Sequence, residues 1–328
     1  MSCIENINRY IVPNDVINSL TNIYKYIGKN EIYQEITAGS INKIVEQTIQ
    51  RDAFFLGKLL KIDISDTRLR LIITKNSAPR NKEENVLFTI LEILNDVQNT
   101  YKKYSLQSNS LLNMINYIYE NQSIKYDSKS ELPFSTKDKR EFIDYLNFEL
   151  DNHDDIEKII LYLNYFVDVY NAKPFILNND TLTFIILYVL MLKADIEAFR
   201  YISFFEMIYN DFDDFKAKLL DVSYNWSEGI SQPTAFIRCM LKIILAAYRK
   251  ADDVITEYKI DQNITKSDNI ENTICALPNV FTKDQIRMEH PYVSETTINR
   301  ALQKLRDENK IKPLGKGRSA KWIKISLL

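Results

Sequence analysis

Few residues in this 328-residue chain are of types that do chemistry, and they are scattered. The two histidines, His153 and His290, stand in no metal-ligand spacing with each other or with a cysteine, so neither a zinc site nor a His-based triad is credible. Cys3, Cys239 and Cys275 lie far apart, the pattern of reduced intracellular thiols. His153 sits among Asp151, Asp154 and Asp155, read here as a solvated acidic helix start, because acids favour that end of the helix dipole. Gly315-Lys316-Gly317 is a lone fragment and no phosphate-cradling glycine pattern accompanies it. Two places remain. One is the polar run Lys173-Pro174-Phe175-Ile176-Leu177-Asn178-Asn179-Asp180-Thr181, and the other is the basic tail after Phe281.

The first of these interrupts a strongly apolar stretch, Asp155 to Lys193. Ile156, Ile159, Ile160, Leu163, Phe166 and Val167 recur at helical spacing before it. Phe184, Ile185, Leu187, Tyr188, Met191 and Leu192 follow, and so wide an apolar surface predicts a helix buried on most sides. Helical periodicity also runs through Asp15–Tyr26, Ala38–Leu60, Asn85–Tyr104 and Leu111–Tyr119, with Thr136 as the expected cap of a helix over Lys137–Leu150. With six Gly and eight Pro, the class is mainly α. Formal net charge is −2. No basic-then-apolar leader opens the chain, and no run reaches the roughly 18 apolar residues of a membrane span. The expectation is a soluble cytoplasmic protein without membrane contact.

The run DIEKIILYLNYFVDVYNAKPF, the break and the helix after it resemble the centre of the Fic (Fido) family. There a loop His-Pro-Phe-x-Asp/Glu-Gly-Asn-Gly-Arg joins two buried helices and transfers AMP from ATP to a protein hydroxyl. Pro174, Phe175 and Asn179 match that loop. Lys173 takes the catalytic His position, Leu177 the metal-binding acid, Asn178 and Asp180 the two glycines, and Thr181 the arginine. A lysine is an ammonium at neutral pH and takes no proton from a hydroxyl. Leucine offers Mg²⁺ no oxygen. A carboxylate at a helix start competes with phosphate for the backbone donors there, and threonine cannot make the bidentate grip of a guanidinium. The resemblance therefore implies the frame of the family without its catalysis.

Other segments carry the same resemblance. AFFLGKLLKIDISDTRLRLI is similar to the family's inhibitory helix, with Leu59, Asp63 and Ile64 at its signature positions and Thr181 replacing the arginine that helix engages; an ordinary amphipathic core helix is the competing reading. The polar stretch from Glu120 to Thr136, with Pro133, lies where active relatives hold a peptide-binding flap. From Tyr201 to Lys250 the match is most extended. Tyr201, Phe204, Phe205, Tyr209 and Trp226 are read there as core, and Trp322 in the tail likewise.

Lys250–Asp268 reads as a linker helix and loop. Beyond it, a helix over Asn272–Leu277, a helix Lys283–Met288 capped by Thr282, a helix Glu295–Asn309 capped by Ser294, and strands at Lys310–Lys312 and Trp322–Ile325 spell a winged helix-turn-helix, a module that Fic-like proteins often carry at this end. From Phe281 onward eleven Lys/Arg face five Asp/Glu, net +6, which leaves −8 for the rest. A basic module on an acidic body is the footprint of DNA contact. Glu295, Thr296, Asn299, Arg300 and Gln303 would face the major groove, and Lys316, Arg318 and Lys321 would meet phosphates from the wing. The expected architecture is all-α, a Fic-like helical bundle with the C-terminal winged helix. It divides into 1–105 (N-terminal helices), 106–250 (Fic-like core), 251–269 (linker) and 270–328 (winged helix). The expected function is binding or regulation, with duplex DNA or a protein as partner and no cofactor or metal. An adenylyltransferase using ATP and Mg²⁺ with an atypical site is the alternative.

Overall fold

The computed structural model describes residues 2–9, 11–120, 122–128, 138–153, 155–263, 266–290, 293–315 and 320–325, with backbone alone for 259–263 and 266–269. Two compact units make up the chain: residues 1–30 with 48–250, and residues 31–47 with 251–328. The helices in order are α1 Asn14–Ile27, α2 Asn30–Thr37, α3 Ile41–Leu59, α4 Asp66–Lys75, α5 Lys82–Thr100, α6 Ser108–Ile118, α7 Lys139–Asn152 and α8 Lys158–Ala172. They continue with α9 Asn179–Lys193, α10 Phe204–Asn210, α11 Phe212–Ser223, α12 Thr234–Asn263 and α13 Lys266–Ala276. Strand β1 (Val280–Thr282), helices α14 (Lys283–Glu289) and α15 (Glu295–Asp307), and strands β2 (Ile311–Pro313) and β3 (Lys321–Lys324) complete the described chain. The fold is mainly helical.

At the centre of the first unit, α8 and α9 pack as a pair. Residues 181–183 and 185–192 of α9 are all buried, as the apolar sequence demands. Around them Tyr188, Phe204 and Phe205 lie ring against ring, with centroids 5.1–5.5 Å apart. Two buried carboxylates tie distant segments to this core. Asp168 of α8 accepts bonds from the backbone N–H of Cys3 (2.8 Å) and Ile4 (2.9 Å) and from Trp226 Nε1 (2.7 Å). Asp52 of α3 accepts from Tyr188 (3.0 Å), from Ser203 Oγ (2.7 Å) and from the Phe205 N–H (3.1 Å). Tyr209, expected in the core, is 44% exposed and packs one side on Phe55.

Several local expectations change. The segment aligned with an inhibitory helix is the end of α3, a turn and the start of α4. Lys61 is left-handed (φ 53°) and the Ile62 N–H closes back on the Gly57 carbonyl at 3.0 Å, a helix-ending motif. Asp63 and Ile64 therefore lie in a connection. Thr136 lies outside the described residues, and α7 is capped instead by Asp138, whose carboxylate accepts the Glu141 N–H at 2.8 Å. Of the acids around His153, Asp151 lies in the last turn of α7 and Asp155 follows its end, so neither opens a helix; Asp154 lies outside the described residues. His153 Nε2 sits 3.3 Å from Glu149, one turn back.

The second unit has its own core: Tyr258, Ile270, Ile274, Phe281, Ile286, Val293, Ile298, Leu302, Leu305, Ile311 and Trp322, with Ile36 and Leu277 against it. Residues 251–263, where a linker helix was expected, continue α12. Residues 31–47 belong here too, bonded through Tyr33 to Asp252 (2.6 Å), through Ser40 to Tyr258 (3.0 Å) and through Lys43 to the Val293 carbonyl (3.2 Å). α14 opens with a reciprocal Thr282–Gln285 capping box, and α15 with Ser294 accepting the Thr297 N–H. The sheet has order β1-β3-β2, all antiparallel, and β1 is an addition to the two strands expected.

Candidate functional site

The loop between α8 and α9 is fixed on every side by hydrogen bonds. Lys173 ends α8 in the left-handed region (φ 44°), and Asn178 opens α9 the same way (φ 60°). Between them Pro174–Ile176 runs extended against residues 125–127. The Asp127 N–H donates to the Pro174 carbonyl (2.9 Å) and the Ile176 N–H to the Lys125 carbonyl (3.2 Å), flanking a bridge between Tyr126 and Phe175. Their rings pack at 4.8 Å. The opposite edge of Phe175 is filled by one side chain. Asn179 accepts the Phe175 N–H through Oδ1 (2.9 Å) and donates Nδ2 to the Phe175 carbonyl (2.7 Å), so its amide completes the pairing that a further strand would make.

Lys139, at the first turn of α7 and almost fully buried, holds the far end. Its ammonium donates to Asp127 (3.0 Å) and to the Lys173 carbonyl (3.2 Å). Asn178 Nδ2 donates to Gln122 (2.7 Å). Thr181 is buried, and its hydroxyl pairs with Tyr119 at 2.7 Å. Burial pushes the Tyr119 phenol up, and that bond to Thr181 opposes it.

Chemically the loop exposes little that reacts. Lys173 and Asp180 are exposed, and Ile176 and Leu177 are each 52% exposed. Asp180 does not cap α9; it lies inside the first turn, and no side chain makes a cap bond at Asn178. Its carboxylate still complements the positive helix end. Two surface hollows of about 280 and 250 Å³ are lined by Asp15, Arg238, Lys242 and Arg249, and by Asp96, Lys103 and Tyr104. Neither contains a residue of the loop. Gln122, Asp127 and Lys139 escaped the sequence reading, because their link to the loop is a fold contact with no periodic or spacing signature.

In the second unit, α15 buries Ile298, Ala301, Leu302 and Leu305. Thr296, Asn299, Arg300 and Gln303 share the exposed side, and Lys321 is exposed on β3. Glu295 is partly exposed at the first turn. Lys316 and Arg318 lie outside the described residues. Three cations nearby are paired: Lys310 with Glu271 and with Glu308 (2.9 Å), Lys304 with Glu271 at 4.0 Å, and Arg306 with Asp307 at 3.3 Å. Arg300, Lys312 and Lys321 make no ion pair among the described residues.

No family model matches the sequence, and no curated protein matches it. Among solved structures, the chain is similar to a Fic family protein from Desulfovibrio desulfuricans G20, with a TM-score of 0.54 at 12% identity over 97% of this chain and 98% of that chain. The two share a fold.

Proposed function

We propose that this chain is a DNA-binding regulatory protein, in which a Fic-like helical body has lost nucleotide transfer and the helices and hairpin after residue 270 act as a winged helix. The observation that carries the reading is the solvent side of α15, with Arg300, and Lys312 and Lys321 on the neighbouring strands, all free of ion pairs among the described residues. Free cations beside an exposed helix face are what phosphate contact and groove entry require. The net +6 after residue 280 supports the same reading.

The loop supports the loss of transfer. Lys173 and Leu177 stand where the family carries its base and its metal ligand. The side chain at the arginine position, Thr181, is buried and occupied by Tyr119. On this reading the loop is a structural joint, held closed by Asn179 and Lys139, and no cofactor or metal is required.

Fluorescence anisotropy with a labelled duplex of about 25 base pairs tests the reading. The full chain binds, log affinity falls linearly with log salt, and Lys312→Ala with Lys321→Ala weakens binding to all sequences alike. Absence of binding at low salt overturns it. Labelled ATP with Mg²⁺ or Mn²⁺ leaves the protein unlabelled; stoichiometric labelling that Lys173→Ala abolishes would establish an atypical AMP transferase instead.

A further inference from the structure

Four side chains on the exposed side of α15, Thr296, Asn299, Arg300 and Gln303, follow one another at spacings of three, one and three residues. At about 100° per residue they occupy one arc of roughly 100°, opposite the buried Ile298, Leu302 and Leu305. None of the four makes a hydrogen bond or ion pair among the described residues. Their neighbours differ in this respect. The Ser294 and Thr297 hydroxyls bond each other at 2.8 Å, Lys304 leans to Glu271, and Arg306 is held by Asp307. One face of the helix is thus left with its full donor and acceptor capacity, and only one of its four groups is charged.

That composition is unsuited to gripping phosphate, which calls for several cations, and well suited to reading base edges. An amide presents one donor and one acceptor, the complement of the adenine N6 and N7 edge; a guanidinium presents two donors, the complement of guanine O6 and N7; a threonine methyl meets the thymine methyl. Two amides stand against one guanidinium.

We infer that the α15 face selects a short adenine-rich site in the duplex major groove, with Asn299 and Gln303 each reading an adenine, Arg300 a guanine, and Thr296 a thymine methyl. The inference rests on the DNA-binding reading above and adds the sequence that is read. Asn299 and Gln303 are one turn apart, about 6 Å along the axis, so the two adenines fall within about four base pairs of each other.

The test is repeated selection from a randomised duplex library on the full chain at physiological salt. The expected enriched sites hold two adenines and a guanine within about four base pairs. Asn299→Ala and Gln303→Ala each flatten the preference at one adenine by about tenfold, and Arg300→Ala does so at the guanine. Affinity for unselected duplex changes by less than about threefold in the two amide variants, and melting curves stay unchanged because these side chains bond nothing among the described residues. A library that stays unenriched while duplex is still bound overturns the base-reading inference and leaves DNA binding standing. Enriched sites without adenines, or an adenine preference that survives both amide substitutions, also overturn it. Failure to bind any duplex removes both readings.

Discussion

Asp52 is fully buried, and burial pushes its carboxyl up to about 7, against the pull of its bonds from Ser203, Phe205 and Tyr188. Burial likewise raises Asp168 to about 6, against the pull of Trp226 and the Cys3 and Ile4 N–H groups. In the unfolded chain a carboxyl titrates near 3.9. From about pH 4 to 7, therefore, the folded protein keeps protons that the unfolded chain has released, and stability falls as pH rises through that window. Asp52→Asn should flatten this slope most between pH 6 and 7, where Asp168 contributes less than Asp52, as read from urea unfolding at each pH; an unchanged slope there would remove Asp52 as its source. Asn179→Ala deletes both amide bonds to Phe175 and should cost about 1–3 kcal/mol, at roughly 0.5–1.5 per bond, measured by the same unfolding. Asn179 was legible in the sequence as a matching residue of the Fic-like loop. Its clamp on Phe175 was not, and neither was the absence of an Asp180 cap, because both depend on the left-handed turn at Asn178, which no side-chain pattern announces.

Helices were readable wherever a single apolar face decided them. α9 is the clearest case: its run of Ile, Leu, Val and Met has no polar side, so only deep burial satisfies it. Leu190 is completely buried there, and Leu190→Ala should destabilise the protein by about 2–5 kcal/mol in chemical denaturation; a change below about 1 kcal/mol would mean that the site collapses around the cavity. Caps at Thr282 and Ser294 were legible for a different reason, since a hydroxyl before an apolar period has few other uses. The stretch from Ala53 to Ile72 misled because its hydropathy stays amphipathic across the left-handed Lys61, so one helix was expected where two meet. Strand β1 has three residues, too few for alternation to register, and its partner lies some forty residues away at Trp322. The bridge between Tyr126 and Phe175 is equally non-local.

At the scale of the whole chain, charge is divided within the second unit as well as across the protein. Residues 31–47 carry net −2 and residues 251–280 net −4, which offset the +6 that follows. The basic surface is a local feature of the end bearing α15, so truncations that keep only that end would exaggerate it. The core of residues 270–328 also takes in Tyr258 and Ile36. A 270–328 fragment should therefore lack a cooperative thermal transition by circular dichroism; a sharp melt would show those contacts to be dispensable. The same discontinuity governs the order of events during synthesis. Residues 31–47 leave the ribosome early, yet the last strand that completes their core is made some 280 residues later, roughly 15–60 s at bacterial to eukaryotic elongation rates. Until then Ile36 has no finished core to enter, so the nascent chain carries an unsatisfied apolar face for most of its own translation.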